Sequence, residues 1–127
     1  MGQFRVSIEV ANPADGEFTS VETLVDTGAY FTMLPASLLE GLGMSPTREM
    51  AFKLADGSSK VWGVAPALFR VEGIEAYSNV AFGAEGTYLL GAVTLEELAL
   101  IADTTHKRLV SPPELLAVGV QAPGFDD

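Results

Sequence analysis

The chain has 127 residues, 48% of them hydrophobic, and a formal charge of −10 at pH 7, with one histidine and no cysteine. This length predicts one domain with one core. The lack of cysteine excludes disulfides, thiolate metal sites and cysteine nucleophiles, and a single histidine cannot build a histidine metal cluster. The acidic charge disfavours nucleic-acid binding because it repels phosphate backbones. We therefore expect no nucleic-acid partner, no metal and no cofactor.

The N-terminus has no basic segment followed by an apolar one, so we predict no signal peptide. No window approaches the roughly 20 apolar residues that a membrane-spanning helix needs, and we expect a cytoplasmic protein that does not enter membranes. The folded domain is predicted to cover residues 1–120. Residues 121–127 are predicted to form a flexible acidic tail.

The first 25 residues predict a β-hairpin. Apolar and polar residues alternate over 4–10, turn-forming residues fill 12–16, and a second apolar pattern covers 18–25. A short helix is predicted over 35–42, because proline suits the first helical position and Gly41 can end the helix.

The middle of the chain predicts more β structure. Residues 50–54 and 60–65 predict two strands joined at Asp56-Gly57, a pair typical of a type I′ turn. Residues 67–82 predict further strands, with one break at Gly73 and another near Ser78-Asn79.

The last third predicts one helix and short strands. Thr94 and Glu97 have the spacing of a capping box, which predicts a helix over 95–101. Two further strands are predicted at residues 107–110 and 114–120. Most of the chain is therefore expected to be β, with two short helices.

One motif places an acid directly after an apolar strand. In Leu24-Val25-Asp26-Thr27-Gly28-Ala29, Asp26 is either an ordinary turn residue or a functional group. The hairpin at Asp56-Gly57 and the segment Leu89-Leu90-Gly91 with its following helix come later in the chain. These three features, in this order over residues 4–110, resemble the retropepsin-like (retroviral-type) aspartic proteases.

The resemblance implies an all-β, acid-protease-like closed β-barrel with two short helices and one half-site per chain. It also implies an aspartic endopeptidase that acts on peptides or proteins. Asp-Thr-Gly occurs once in this chain, so Asp26 would face Asp26 of a second copy across the axis of a homodimer. The catalytic residues implied are Asp26, Thr27 and Gly28, with Thr27 tying the two loops together and Gly28 donating an N–H to the carboxylate.

The resemblance further implies two substrate-binding segments and a support for the catalytic loop. The substrate-binding residues implied are Ala29, Tyr30, Phe31, Asp56, Gly57 and Ser58. Leu89, Leu90 and Gly91 would pack beneath the loop. The pattern departs from viral members at Tyr30 and Ala92, which stand where an acid and an arginine form an ion pair. This departure makes the pattern closer to bacterial and archaeal members.

Two other functions are compatible with the sequence. One is a catalytically silent dimeric peptide-binding module of the same fold, and the other is an unrelated small β-barrel that serves oligomerisation. Trp62 either lies over the cleft or packs within its strand. Met33, Met44 and Met50 are predicted to fill the core, and His106 is predicted to be an exposed polar residue.

Overall fold

The computed structural model describes residues 3–114, which form nine strands and two short helices. The strands are β1 (Arg5–Ala11), β2 (Thr19–Val25), β3 (Thr32–Pro35), β4 (Arg48–Lys53), β5 (Ser59–Val71), β6 (Ile74–Gly83), β7 (Leu89–Leu90), β8 (Ile101–Asp103) and β9 (Arg108–Val110). The helices are α1 (Ala36–Gly41) and α2 (Ala92–Leu98). The predicted all-β class is confirmed. The predicted strand at 114–120, the domain boundary at 120 and the tail at 121–127 lie outside the described residues, apart from residue 114.

Six strands close into a ring. β1 pairs with β2, β2 with β7, β7 with β3, β3 with β6, β6 with β5, and β5 returns to β1. The β2–β7 and β3–β6 pairs are parallel and the other four are antiparallel. β4 lies outside the ring and pairs only with the outer part of β5. The expected closed barrel is therefore a closed ring from which one hairpin projects.

The predicted N-terminal hairpin is confirmed. β1 and β2 are antiparallel, with Ile8 opposite Val21. Ile8 and Val10 are buried, as the alternation of apolar residues predicts, and they join one large core cluster with Phe69 and Leu90. This core lies inside the ring.

The projecting hairpin, here named the flap, consists of residues 48–63. Beyond Gly63, β5 turns inward and pairs with β6, starting at Val64 opposite Ala81. A Cβ added to Gly63 would lie 2.5 Å from Cγ of Pro46, so only glycine allows this close approach. The junction between ring and flap therefore depends on the lack of a side chain at residue 63.

The predicted type I′ turn at the flap tip is wrong. Type I′ needs a positive φ at both central residues, whereas in this turn only Gly57 has one, with φ of 89°. The Gly57 amide donates to the Leu54 carbonyl at 2.9 Å, and the Leu54 amide donates to the Ser58 carbonyl at 2.7 Å. The tip is therefore a three-residue loop with glycine in the left-handed position.

Two other predictions of element bounds are wrong. β6 runs without a break through Ser78-Asn79, because the buried Ser78 hydroxyl finds a partner in Thr94. α2 covers Ala92–Leu98 rather than 95–101, and Thr94 lies inside it with no capping role. The helix ends at Leu98, because the following residue, Ala99, has a left-handed φ of 56°.

The sequence does not predict the short strands β3, β7 and β8, and β5 joins the segment predicted at 60–65 to the next one, which begins at 67. Other elements agree with the sequence. α1 occupies most of the predicted range 35–42, and the break at Gly73 separates β5 from β6. β9 forms within the predicted strand at 107–110 and pairs with β8. His106 is exposed, as predicted, and contacts Asp103 at 2.8 Å. Within residues 3–114, neither helix has the length or apolar character to cross a membrane.

Candidate active site

The loop at 26–31 connects β2 to β3. Val25 ends β2 and is buried, and the Asp26 amide then continues the parallel pairing by donating to the Leu90 carbonyl at 3.0 Å. The chain turns at once, since the Ala29 amide donates to the Asp26 carbonyl at 3.0 Å. Asp26 therefore leaves the sheet at a fixed point, with its side chain half-buried.

The Asp26 carboxylate is oriented by the glycine of its own motif. Its Oδ1 accepts a hydrogen bond from the Gly28 amide at 3.0 Å. A Cβ on Gly28 would lie 3.3 Å from the same oxygen, which is tight for a side chain. The expected donation by Gly28 is present in the structure. Thr27, whose expected partner is the second copy, is exposed.

The segment 89–93 supports this loop from below. The Ala92 amide donates to the Ala29 carbonyl at 2.9 Å, and the Val93 amide donates to the Tyr30 carbonyl at 3.0 Å. At Gly91 a Cβ would lie 2.5 Å from the Phe31 carbonyl carbon, so the two backbones touch at that point. This arrangement agrees with the supporting position that the resemblance implies for Leu89-Leu90-Gly91.

An apolar cavity of about 530 Å³ lies between the loop and the flap. Asp26, Gly28, Ala29, Tyr30 and Phe31 line its loop side. Met50, Phe52, Lys53, Leu54 and Trp62 line its flap side. Asp26 and Lys53 are the charged residues in a lining that is otherwise mostly apolar, and a mostly apolar cavity with a few polar groups is typical of a ligand-binding site.

Aromatic rings connect the loop to the flap. The Tyr30 and Phe31 ring centroids are 4.9 Å apart, Phe31 and Phe52 are 6.0 Å apart with an edge-to-face arrangement, and Phe52 and Trp62 are 5.4 Å apart. Such pairs contribute about 0.5–1.5 kcal/mol each beyond their buried area. The Phe31–Phe52 contact is the one that crosses from loop to flap.

Of the three tip residues 55–57, Ala55 lines the cavity. Asp56, Gly57 and Ser58 do not line it, although the resemblance implies substrate contacts for all three. The Asp56 carboxylate instead accepts hydrogen bonds from the Ser58 hydroxyl at 2.6 Å and the Ser58 amide at 2.9 Å. These bonds, the hydroxyl first, hold the pKa of Asp56 below its usual value. In a single chain the tip residues hold the turn.

Sequence reasoning missed part of the cavity wall. Met33 and Met50 were predicted to fill the core, but both line the cavity. Trp62 also lines it, and it lies directly opposite Met50 across the flap. The period-2 pattern of the flap strands was the available signal, since Met50 and Phe52 share one face of β4.

The described residues 3–114 hold no group of three or more His, Cys, Asp or Glu side chains that could bind a metal. The charged contacts lie elsewhere on the fold. Arg70 bonds Glu9 at 2.7 Å and Glu75 at 3.2 Å, and lies over the Phe18 ring at 3.9 Å. None of these groups lines the cavity.

Comparisons with known proteins identify a matching family model and two structures of similar fold. The sequence matches the model of the family described as "gag-polyprotein putative aspartyl protease" over residues 15–97. The protease of simian foamy virus (mac), a solution structure, is similar in fold with a TM-score of 0.51 and 23% identity, over 72% of this chain and 92% of that one. No curated protein sequence matches the chain.

A second structure, of the foamy viral protease-reverse transcriptase in complex with an RNA/DNA hybrid, has a TM-score of 0.60 and 19% identity. The match covers 97% of this chain and only 14% of that much longer one. At these identities the two structures support the fold alone. Both are viral, so they give no support to the predicted closeness to bacterial and archaeal members, which stays a prediction.

Proposed function

Because the chain belongs to the gag-polyprotein aspartyl protease family, we propose that it is an aspartic endopeptidase whose active form is a homodimer. The observation that carries this proposal is the position of Asp26. Its carboxylate is oriented by the Gly28 amide and lines an apolar cavity closed on the other side by the flap. Peptide hydrolysis needs a base that activates water and an acid that protonates the departing groups.

One carboxylate cannot perform both tasks at once, and the motif occurs once per chain. Asp26 of one protomer would therefore face Asp26 of the partner subunit across a two-fold axis. Two adjacent carboxylates share one proton because both cannot ionise cheaply side by side, as is established for aspartic proteases. In this arrangement Thr27, exposed in one chain, would bond the loop of the second copy.

The chemistry follows from the shared proton. The ionised carboxylate takes a proton from water, the oxygen attacks the peptide carbonyl carbon, and the protonated carboxyl gives its proton to the carbonyl oxygen. The neutral diol then returns one hydroxyl proton to the newly ionised carboxylate while the other carboxyl protonates the amide nitrogen. The C–N bond breaks, an acid and an amine leave, and the pair again holds one proton.

The cavity supports a substrate with bulky apolar side chains near the cleaved bond. Apolar surface is offered by Met33, Met50, Phe52 and Trp62. A substrate side chain that buries apolar surface against them would gain about 25 cal/mol of binding free energy per Å². Tyr30 is 66% exposed and extends this surface to the rim. The acid and arginine of viral members are absent here, so contacts to the substrate backbone must come from other groups.

The substitution Asp26→Asn tests the proposal, with Asp15→Asn as its control. Asp15 is an exposed acid in the turn between β1 and β2, remote from the cavity lining. Asp26→Asn should abolish turnover of an apolar peptide while retaining its binding, and Asp15→Asn should leave both unchanged. Hydrolysis that survives Asp26→Asn would refute the dyad. Binding without turnover by the unmodified protein would favour the silent peptide-binding module.

The pH dependence offers a second test. A pair that shares one proton gives a bell-shaped activity curve, because activity is lost when both carboxylates ionise and when both are neutral. A charge of −10 per chain becomes −20 in a dimer, and this negative field holds the shared proton more tightly. The alkaline limb should therefore move to lower pH as added salt screens the field. A flat profile would contradict the assignment.

A further inference from the structure

Three buried hydroxyl groups form a continuous chain behind the catalytic loop. Thr32 on β3, Thr94 on α2 and Ser78 on β6 are 0%, 0% and 6% exposed. The Thr32 and Thr94 oxygens are 2.6 Å apart, and the Thr94 and Ser78 oxygens are 2.9 Å apart. We refer to these three side chains as the hydroxyl chain. It links three elements that are distant in sequence.

The hydroxyl chain ends on the backbone of the supporting segment. The Gly91 amide donates to Thr32 Oγ1 at 3.0 Å, and the Thr32 hydroxyl donates in turn to Thr94 Oγ1. If Thr94 then donates to Ser78, every donor points the same way, and such chains of hydrogen bonds strengthen one another. All four groups are buried, so no water can replace a lost partner without a rearrangement.

Gly91 is next to the atom that fixes Asp26. Leu90 precedes it, and the Leu90 carbonyl accepts the Asp26 amide at 3.0 Å. Gly91 also touches the Phe31 carbonyl, and Thr32 follows Phe31 directly. The hydroxyl chain therefore holds both ends of the loop, residues 26–31, in relation to α2 and β6. No hydrogen bond joins its three side chains to Asp26.

We propose that Thr94, with Ser78 behind it, is a positioning residue that sets the place of the Asp26 carboxylate through Thr32 and Gly91. This inference rests on the proposed peptidase function. Thr94 fits this role because its hydroxyl has two partners in the hydroxyl chain and its position on α2 is fixed by the helix. The predicted capping role of Thr94 does not occur, which leaves its hydroxyl free for this contact.

The substitution Thr94→Val keeps the shape of the side chain and removes the hydroxyl. Thr94→Ser restores the hydroxyl, and Ser78→Ala removes only the far partner. Thr23→Val is a matched control, because Thr23 is also 0% exposed but bonds the Val6 carbonyl at 3.2 Å, outside the hydroxyl chain. All four variants would be compared per folded molecule, so that lost stability alone does not count as lost activity.

Thr94→Val should lower kcat about tenfold or more with a smaller change in KM, since a displacement well below 1 Å already affects a reacting group. Thr94→Ser should restore most of kcat, Ser78→Ala should show a smaller loss, and Thr23→Val should retain kcat. Loss of kcat in Thr23→Val equal to that in Thr94→Val would overturn the proposal. Unchanged kcat in Thr94→Val would do the same.

Amide hydrogen exchange tests this inference without relying on peptidase activity. It also gives a test in other variants should Thr94→Val fold poorly. In Ser78→Ala and Thr94→Ser the Gly91 amide should exchange faster than in the unmodified protein, by more in Ser78→Ala, whereas Thr23→Val should leave it unchanged. If the unmodified protein cleaves no peptide, the peptidase proposal fails. If the exchange rate of the Gly91 amide is the same in Ser78→Ala as in the unmodified protein, the hydroxyl chain does not hold the supporting segment and this inference fails.

Discussion

Replacing Gly91 by alanine should push apart the two segments that hold Asp26. The added Cβ would lie 2.5 Å from the Phe31 carbonyl carbon, 2.6 Å from its oxygen and 2.8 Å from the Thr32 amide nitrogen. Ordinary contacts begin near 3.4 Å, so the segments must separate by about 0.9 Å. Gly91 has φ of −98° and ψ of 175°, which alanine adopts readily, so the cost is steric.

The size of the effect follows from the atoms involved. All three neighbours are backbone atoms between the Tyr30 carbonyl, which bonds the Val93 amide, and β3, which pairs with β6, so none can swing away as a side chain would. Overpacking of this kind costs about 1–3 kcal/mol, and stretching the Gly91–Thr32 hydrogen bond adds about 1 kcal/mol. A shift of about 1 Å in a catalytic group lowers turnover roughly 100-fold. Gly91→Ala should therefore lose both stability and activity.

Gly41→Ala is the control. Gly41 is the last residue of α1, and a Cβ there would meet nothing within 4 Å. Alanine in a helix should stabilise by about 0.5–1 kcal/mol. Both substitutions lower the conformational entropy of the unfolded chain equally. The difference between their free energies of unfolding therefore reports the steric contact at residue 91. Urea unfolding at several protein concentrations would measure this difference in free energy. Equal stability of the two variants would refute the reasoning.

Three further predictions concern the flap and the assembly. Phe52→Ala should speed deuterium exchange of the flap by removing its edge contact with Phe31, whereas Val61→Ala, 61% exposed, should not. In carbon NMR the pKa of Asp56 should lie below the ordinary value of 3.8, and this pKa should rise in Ser58→Ala. Because the pKa is lowered in the folded state, the ionised carboxylate stabilises the turn above pH 3.8, and this stabilisation is lost as the pH falls through the folded pKa. Activity per chain should fall on dilution, and constant activity in a proven monomer would contradict the homodimer.

The sequence predicted the parts of this site whose signals are local. Asp26-Thr27-Gly28 follows a strand of alternating apolar and polar residues, and Asp56-Gly57 between two apolar segments indicates the flap hairpin. Both signals lie within a few neighbouring residues, so the sequence is sufficient to predict them. The exact turn type was missed, because only Gly57 takes a positive φ while the Asp56 side chain bonds Ser58.

The parts that were missed depend on distant partners. From the sequence, Ser78 indicates a strand break, because its hydrogen-bond partner Thr94 lies 16 residues later in the chain. Thr94 resembles a helix cap until it is paired with Thr32, 62 residues earlier. Met50 resembles core filler because an apolar side chain has the same pattern whether it faces a packed interior or a cavity. Only the fold distinguishes these cases.

The two sides of the cavity are held with different strength, and this bears on how a dimer would form. The loop at 26–31 is fixed by backbone hydrogen bonds to segment 89–93, all within one chain. The flap instead packs on the loop through apolar side chains, with Met50 and Phe52 in the cluster around Phe31. A carboxylate already oriented in a single chain needs no folding on association. Dimerisation would then join two preformed half-sites, so a diluted protein should lose turnover while its circular dichroism and its Gly91 amide protection stay unchanged. Loss of that protection together with activity would mean that the loop is ordered only by the second copy.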